Sequence, residues 1–284
     1  MTSRPIRRGG GHVRRTRRVR RASAGLTPQR AAAILGMLAS AGAIYGLTAS
    51  SAFGLSRIDV VGATITGDAV ITARLALESG QNLFDIATEP LEAGLREIPA
   101  VATADVAIAL PDAVTVTIVE RRPIVVWHVG ERRLLVDERG LLFAEFGPDT
   151  PSMPLVDDLP VVNDQRVAAS DLAVGGSLDP VDLDAAFRLA SLTPAQVGSS
   201  STGLTVGVTD VNGFVVSSGP NGWDAIFGFY GLSLRKPDLI PAQVQLLKTL
   251  LAGREPSVAT VILGDREGTY VPKATPKASA TPKP

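Results

Sequence analysis

Side chains that carry acid–base, nucleophilic or metal chemistry are sparse in this sequence. It contains no cysteine and two histidines: His12 in a basic N-terminal segment, and His128 beside Trp127 in an apolar run. Without cysteine there is no disulfide, thiolate nucleophile or Cys-ligated metal. A lone histidine in a strand is more often a satisfied surface or core residue than a base or ligand. We therefore predict no catalytic residue, no metal site and no cofactor.

The remaining polar candidates lack the spacing that catalysis requires. Asp157 and Asp158 are adjacent in a loop-like segment, and the glycines at 9–11 have no preceding strand or following helix to form a phosphate site. The patterns HExxH, GxSxG and GxxxxGK[ST] do not occur in the sequence. We predict that the protein is not an enzyme; a carboxylate pair brought together by folding is the alternative.

The charges divide the chain into three parts. Residues 1–30 carry ten arginines and no acidic residue, residues 31–56 carry no charge, and the rest is net acidic. An apolar helix of ~20 residues crosses the ~30 Å hydrocarbon layer, and preceding arginines favour a cytoplasmic N-terminus. We predict a cytoplasmic tail over 1–30 and a single transmembrane helix over 31–53. A signal peptide cleaved near Ser50-Ser51-Ala52 is the alternative.

The arginine-rich tail is expected to determine topology and to contact anionic lipid at the membrane surface. Dense positive charge also attracts nucleic acid. Because topology already accounts for the arginines, we predict no nucleic-acid partner.

Residues 55–122 show the periodicities of strand, helix, helix and hairpin. Ile58 and Val60 alternate with polar residues as in a half-buried strand. A first helix is predicted to be capped by Asp68 and to stop at Gly80. The second helix has apolar residues at Leu91, Leu95 and Ile98 and ends at Pro99, and the hairpin turns at Pro111-Asp112, with Val114, Val116 and Ile118 on one face.

Residues 123–271 read as a second, β-rich domain. Three strands are predicted within 124–146, loop with brief extended pieces within 147–180, and a helix over 180–197 closed by Gly198. The apolar residues of that helix are Leu183, Phe187, Leu189 and Leu192, and the serine-rich segment after it is predicted to be a surface link. Asn212-Gly213 marks a further hairpin, followed by a helix containing Leu246, Leu247, Leu250 and Leu251 and by a late strand.

The order of these elements behind one apolar segment, with ERRP at Glu120 to Pro123, Trp127 and LLVDERGLLF at Leu134 to Phe143, resembles the bacterial cell-division family FtsQ/DivIB. The resemblance implies an α+β fold: a transmembrane helix, a POTRA domain over 55–122, and a mostly antiparallel β domain with flanking helices over 123–271. Residues 272–284 are rich in Pro, Lys, Ala and Thr and have no apolar periodicity, which predicts a disordered tail.

The same resemblance implies a non-catalytic scaffold of the division machinery in the cytoplasmic membrane at the septum. In the family, an edge near the end of the β domain recruits FtsB and FtsL, and the POTRA domain meets other division proteins. An extended segment can pair with such an edge by β-augmentation. Carried onto this chain by element order, the partner-binding residues are Val258, Thr260, Val261, Leu263, Thr269, Tyr270 and Val271. Tyr270 is either the anchor for a partner or merely packs on the sheet.

Two other functions fit parts of the pattern. One is a POTRA-containing secretion or assembly component, although the sequence has no long C-terminal barrel-like segment. The other is an anchored cell-wall enzyme that uses an acidic pair such as Asp157 and Asp158.

Overall fold

The computed structural model describes residues 27–48, 50–147, 154–233 and 235–274. The chain divides into two compact units, residues 1–52 and 53–284. In the first unit, helix α1 spans Pro28–Thr48. The Thr27 hydroxyl accepts a hydrogen bond from the Arg30 N–H at 3.4 Å, and proline occupies the first turn, where a missing N–H has no cost.

Within the described residues, α1 is the one helix that has the length and composition to cross a membrane, a test that a signal sequence also passes. Its bounds differ from the predicted 31–53. The helix starts at Pro28 because Thr27 caps it, and it ends at Thr48, whose hydroxyl donates to the Ile44 carbonyl at 3.0 Å. Most of the predicted cytoplasmic tail, including His12 and the glycines at 9–11, lies outside the described residues.

The second unit begins with a three-stranded sheet covered on one face by two helices. The sheet order is β1-β3-β2, with β3 parallel to β1 and antiparallel to β2. Val114, Val116 and Ile118 of the central strand are buried in one cluster with the helix residues Ile71 and Leu95, as their alternation predicts. The elements are β1 (Arg57–Val61), α2 (Asp68–Leu75), α3 (Thr88–Arg96), β2 (Val101–Ala109) and β3 (Ala113–Glu120).

Helix α2 is shorter than predicted, and its caps are different. Gly67 precedes it with φ +81°, and no side chain accepts a capping hydrogen bond, so Asp68 is the first helical residue rather than the cap. The helix ends where Ala76 turns into the left-handed region at φ +50°. Gly80 instead lies in a later turn, where its N–H donates to the Leu55 carbonyl at 2.7 Å.

The second domain is built on a nine-stranded sheet. Its order is β12-β11-β10-β9-β8-β7-β4-β5-β6, and five of the eight pairings are antiparallel. The mixed α+β class and the mostly antiparallel second domain are therefore confirmed. The strands are β4 (Val125–Val129), β5 (Arg132–Val136), β6 (Leu142–Phe146), β7 (Val161–Asp164), β8 (Thr205–Thr209), β9 (Gly213–Ser217), β10 (Asp224–Gly228), β11 (Val258–Leu263) and β12 (Gly268–Pro272).

Strand β7 lies in the segment predicted to be mainly loop, and it joins the two halves of the sheet. It pairs in parallel with both β4 and β8. Its last residue, Asp164, is buried and accepts hydrogen bonds from the Trp127 indole N–H at 3.0 Å and from the Arg166 guanidinium at 2.7 Å. Those bonds satisfy the carboxylate, which would otherwise be costly to bury. The Asp164 and Asp182 carboxylates raise the pKa of Arg166.

The helices of the second domain are α4 (Pro154–Asp157), α5 (Pro180–Ala190), α6 (Pro194–Val197) and α7 (Ile240–Leu251). The helix predicted over 180–197 is thus two helices. The helix is interrupted before Pro194, because a proline disfavours helical backbone in the preceding residue. Phe187, assigned to the apolar face, is exposed, whereas Leu183 and Leu189 are buried. Gly198 does end α6, in the left-handed conformation.

A small apolar cluster and an ion pair join the two domains of the second unit. Ala100 of the first domain is buried with Val126 and Leu135 of the sheet. Arg121, from the ERRP motif, donates to the Pro99 carbonyl at 2.8 Å and to the Asp137 carboxylate at 3.0 Å. Arg121 of ERRP and both Leu135 and Asp137 of LLVDERGLLF therefore have a structural role at this junction. Trp127, by contrast, bonds to Asp164 in the core of the second domain.

Candidate protein-binding edge

The nine-stranded sheet ends at β12, which pairs with β11 alone. Val261 of β11 lies opposite Tyr270, and Ile262 lies opposite Thr269. On its other side β11 pairs in parallel with β10. Because β11 is internal, a strand from a partner can add to β12 but not to β11.

The seven residues predicted to bind a partner therefore occupy different environments. Val258, Val261 and Leu263 are buried in the same core cluster as the apolar residues of α7, and Thr260 is half-buried. These four residues belong to β11, whose side chains hold the edge in place. Thr269, Tyr270 and Val271 of β12 are exposed, with 37% of Tyr270 and 48% of Val271 accessible to solvent. The proposed surface is thus confined to β12.

Two hydrogen bonds at the ends of the β11–β12 hairpin define which backbone groups pair inward. The Lys273 N–H donates to the Ser257 carbonyl at 2.8 Å, and the Gly264 N–H donates to the Glu267 carbonyl at 2.7 Å. Hydrogen-bonded and non-hydrogen-bonded pairs alternate along an antiparallel ladder. Counting along β12 from either of these two hydrogen bonds gives the same alternation. The irregularity in the pairing lies on the β11 side, near Val258.

It follows that Thr269 and Val271 bond to β11, whereas Gly268 and Tyr270 direct their N–H and C=O groups away from it. Pro272 occupies the next outward position and offers a carbonyl without an N–H. Proline is tolerated at this position because an N–H there would point away from β11 and would not bond within the sheet. The sequence alone had assigned Pro272 to the tail, but it ends β12. Residues 275–284 of the predicted tail lie outside the described residues.

The Tyr270 side chain lies on the same face of the sheet as α7. The Arg254 guanidinium carbon is 5.9 Å from the centre of its ring, a distance suited to a cation–π contact. The contact of Arg254 with Tyr270 could not be predicted from the sequence, because nothing in the residues around Arg254 indicates which strand its side chain will meet. The contact restrains an aromatic ring that remains partly open to solvent.

A buried hydrogen-bond network holds the turn between β11 and β12. The Tyr230 hydroxyl donates to Gln243 Oε1 at 2.7 Å, and Gln243 Nε2 donates to the carbonyls of Phe227 and Gly264 at 3.3 Å. Burial raises the pKa of Tyr230, which keeps its hydroxyl available as a donor. This network ties the turn of the edge hairpin to α7 and β10.

A groove of about 750 Å³ lies at the end of β10 and β11. Its apolar lining includes the exposed side chains of Val211, Phe229 and Ile262. Arg235, which also lines the groove, forms an ion pair with Asp265 at 2.6 Å. Since Ile262 is the cross-strand neighbour of Thr269, the groove adjoins the edge strand.

Glu255 anchors the segment before β11, and it bonds the serine-rich segment that the sequence had predicted to be a surface link. Partial burial opposes ionisation of Glu255, but bonds from the Ser199 hydroxyl, the Ser200 N–H and the Trp223 indole at 3.0 Å outweigh it. They lower its pKa from 4.5 to about 2. We expect the ionised carboxylate to stabilise the fold fully above pH 4.5, and this stabilisation to be lost as the pH falls toward 2.

The check is the free energy of unfolding of wild type and Glu255→Gln as a function of pH. Because solvent reaches Glu255, we expect a difference of about 1 kcal/mol at neutral pH that shrinks through the acid range. Asp238→Asn, at an exposed ion pair with Arg188, is the control. A difference that does not change with pH would show that the charge of Glu255 is unimportant.

The described residues considered for chemistry lie in or beside separate elements. His128 is half-buried in β4, where partial burial and the nearby Arg133 lower its pKa. Asp157 and Asp158 lie in and just after α4, exposed to solvent. Across the ranges that the structure describes, no group of three or more His, Asp or Glu side chains is placed to hold a metal ion.

The fold of the first domain and the open edge of the second define a class of protein in which a POTRA domain is followed by a β domain. Residues 53–121 match the family model of the FtsQ-type POTRA domain. The strand-helix-helix-strand-strand order predicted from the sequence is confirmed.

The chain is also similar to several proteins named cell division protein FtsQ. It is 31% identical to that of Chloroflexus aurantiacus over 55% of this chain and 54% of the relative. For Chloroflexus aggregans the identity is 30% over 55% and 57%, and for Mycobacteroides abscessus it is 30% over 52% and 48%. The chain spans about half the length of the curated relatives that it matches. The resemblance to the FtsQ family is confirmed.

Proposed function

We propose that this protein is a single-pass membrane protein of the cell-division machinery, which recruits and links other division membrane proteins without catalysing a reaction. The FtsQ-type POTRA domain and the similarity to FtsQ proteins support the division role. The apolar helix α1, preceded by arginines, supports a membrane anchor with a cytoplasmic N-terminus and an extracytoplasmic C-terminus. The similarity to FtsQ proteins supports a location at the septum.

The proposed binding site is the β12 edge, and the partner is an extended segment of an FtsB-like or FtsL-like single-pass protein. The observation that carries this proposal is the outward direction of the Gly268 and Tyr270 backbone groups on a strand with exposed side chains. A partner strand would pair with these groups and gain side-chain contacts with Tyr270. Other division proteins are proposed to contact the POTRA domain, and the arginine tail to contact anionic lipid.

The test is Tyr270→Pro in the full-length chain. The substitution removes an N–H that points away from β11, so we expect the fold to persist while a paired partner loses one hydrogen bond and meets the proline ring. Loss of a buried hydrogen bond with its acceptor left unpaired costs about 1–3 kcal/mol, or roughly tenfold or more in affinity. The measurement is the amount of FtsB-like and FtsL-like protein co-purified from solubilised membranes, together with denaturant unfolding.

Tyr270→Ala is the matched control, because it removes the ring and keeps the N–H. If pairing through the backbone carries binding, Tyr270→Pro should be the more damaging change. A correctly folded Tyr270→Pro protein that co-purifies as much partner as wild type would place the site elsewhere, with the POTRA domain the next surface to test. Absence of division proteins from the wild-type sample would contradict the scaffold function itself.

A further inference from the structure

The first domain carries an apolar patch at the end where the chain enters it. Phe53 is the first residue of the second compact unit, and its ring contacts that of Phe84 edge-on, with centroids 5.2 Å apart. Phe84 is 50% exposed even though its neighbour Leu83 is buried. An aromatic pair that is half-buried at Phe53 and exposed at Phe84 requires a physical explanation.

Hydrogen bonds fix the Phe84 segment to the chain that enters the domain. Gly54 and Asn82 form an antiparallel bridge, and the Leu55 N–H donates to the Gln81 carbonyl at 2.8 Å. The Asn82 side chain in turn accepts from the Phe84 N–H at 3.0 Å. Phe84 is therefore held beside residues 53–55 and does not depend on a loose loop for its position.

The turn of the β2–β3 hairpin lies at the same end of the sheet. Arg57, the first residue of β1, is in register with Ala113, the first residue of the parallel strand β3. The Ser56 N–H and hydroxyl donate to the Asp112 carbonyl and carboxylate at 2.8 Å and 2.6 Å. Leu110, in this turn, is 57% exposed. Three separate segments thus contribute Phe53, Phe84 and Leu110 to one end of the domain, here named the Phe53 patch.

We propose that the Phe53 patch lies in the headgroup layer of the membrane and seats the first domain on the bilayer. This inference rests on the proposed anchoring by α1. Phe53 follows Thr48, the last residue of α1, by five positions, and a fully extended chain covers at most ~3.6 Å per residue. The interfacial layer outside the hydrocarbon core is itself ~5–8 Å deep on each side. The covalent chain therefore keeps Phe53 close to the lipid surface.

The chemistry of the patch suits lipid. Aromatic side chains concentrate at the interface between membrane and water, and burial of apolar area favours insertion. The charged residues beside the patch are Asp85, Asp112 and Arg57, and Arg57 is paired with Asp59 at 3.2 Å. The patch therefore has no net positive charge with which to attract anionic headgroups. The contact should accordingly persist on neutral phosphatidylcholine, without a requirement for phosphatidylglycerol.

The experiment uses the full-length chain reconstituted in phosphatidylcholine vesicles, with or without phosphatidylglycerol, in which part of the lipid carries brominated acyl chains. Phe84→Trp is the probe. Val119→Trp is the matched control, because Val119 is 55% exposed and lies near the opposite end of β3. Native Trp127 and Trp223 are buried and supply a constant background, measured on the wild-type chain. Flotation of the vesicles shows whether the chain is anchored.

We expect the chain to float with the vesicles, and the emission added by Phe84→Trp to shift to shorter wavelength and to be quenched by the brominated lipid. The emission added by Val119→Trp should be unaffected. If the chain floats and the two probes behave alike, the Phe53 patch does not face lipid, and the inference is wrong while the anchor stands. If the chain does not float, the anchor is wrong, and the inference fails with it.

Discussion

We expect Gly213→Ala to lower the free energy of unfolding of residues 53–284 by roughly 2–5 kcal/mol. Gly213 has φ +64°, which costs a residue with a Cβ ~1–2 kcal/mol. A Cβ built at this position would also lie 2.4 Å from the Gly228 carbonyl oxygen and 2.8 Å from the Phe229 nitrogen. These are backbone atoms of the neighbouring strand, so β9 and β10 would have to separate, as in an overpacked core.

The control for Gly213→Ala is Gly130→Ala, measured by the same urea unfolding experiment. Gly130 has φ +61° in another hairpin turn, and nothing lies within 4 Å of the Cβ that alanine would add. Gly130→Ala should therefore show the conformational cost alone, and the difference between the two variants measures the close approach of β9 to β10. Equal losses of stability would mean that the sheet absorbs the extra methyl group without strain.

We expect Asp164→Ala to cost about 3–5 kcal/mol of stability, because it removes the buried partner of the Arg166 guanidinium, which keeps only the more exposed Asp182, and breaks a buried hydrogen bond as well. The Asp164 side chain is fully buried, and it binds both the Arg166 guanidinium and the Trp127 indole N–H. Its loss would leave a donor of Trp127 unsatisfied in the core and would release the end of β7. The measurement is denaturant unfolding of residues 53–284.

Asp182→Ala tests whether the effect is specific to the buried carboxylate. Asp182 pairs with the same guanidinium at 2.6 Å, but its side chain is partly open to solvent and Arg166 would keep Asp164. We expect a cost of about 1 kcal/mol or less. If Asp182→Ala proved as destabilising as Asp164→Ala, the stabilisation would belong to Arg166 as a whole, and the burial of Asp164 would not be decisive.

Local signals in the sequence predicted the elements whose formation depends on neighbouring residues. Alternation in the β2–β3 hairpin placed Val114, Val116 and Ile118 on one buried face. Asn212-Gly213 marked the β8–β9 hairpin, and leucine spacing marked α7. Failures occurred where the local signal was ambiguous: Asp68 had the composition of a cap without the geometry of one, and the helix over 180–197 was divided by Pro194.

Strand β7 could not be recognised from its own residues. It has four residues, one of them the charged Asp164, and its partners β4 and β8 lie far away in the sequence. Strands that pair in parallel are not joined by a short turn, so the local sequence contains no hairpin pattern that would predict the pairing. The Asp164 carboxylate, which makes this segment look less like a strand, is the group that accepts the hydrogen bonds of Trp127 and Arg166.

By itself, the sequence determined the resemblance to the FtsQ family, the order of elements in the first domain, the apolar segment and the general position of the terminal hairpin. Only the tertiary structure decided which residues of that hairpin reach solvent. Packing against α7 buries Val258, Val261 and Leu263, and pairing with β10 makes β11 internal. The outward direction of the Gly268 and Tyr270 backbone groups depends on the hydrogen-bond register between β11 and β12. Each strand residue directs its N–H and C=O to one side of the strand, and pairing with the neighbouring strand determines which residues leave these groups unpaired.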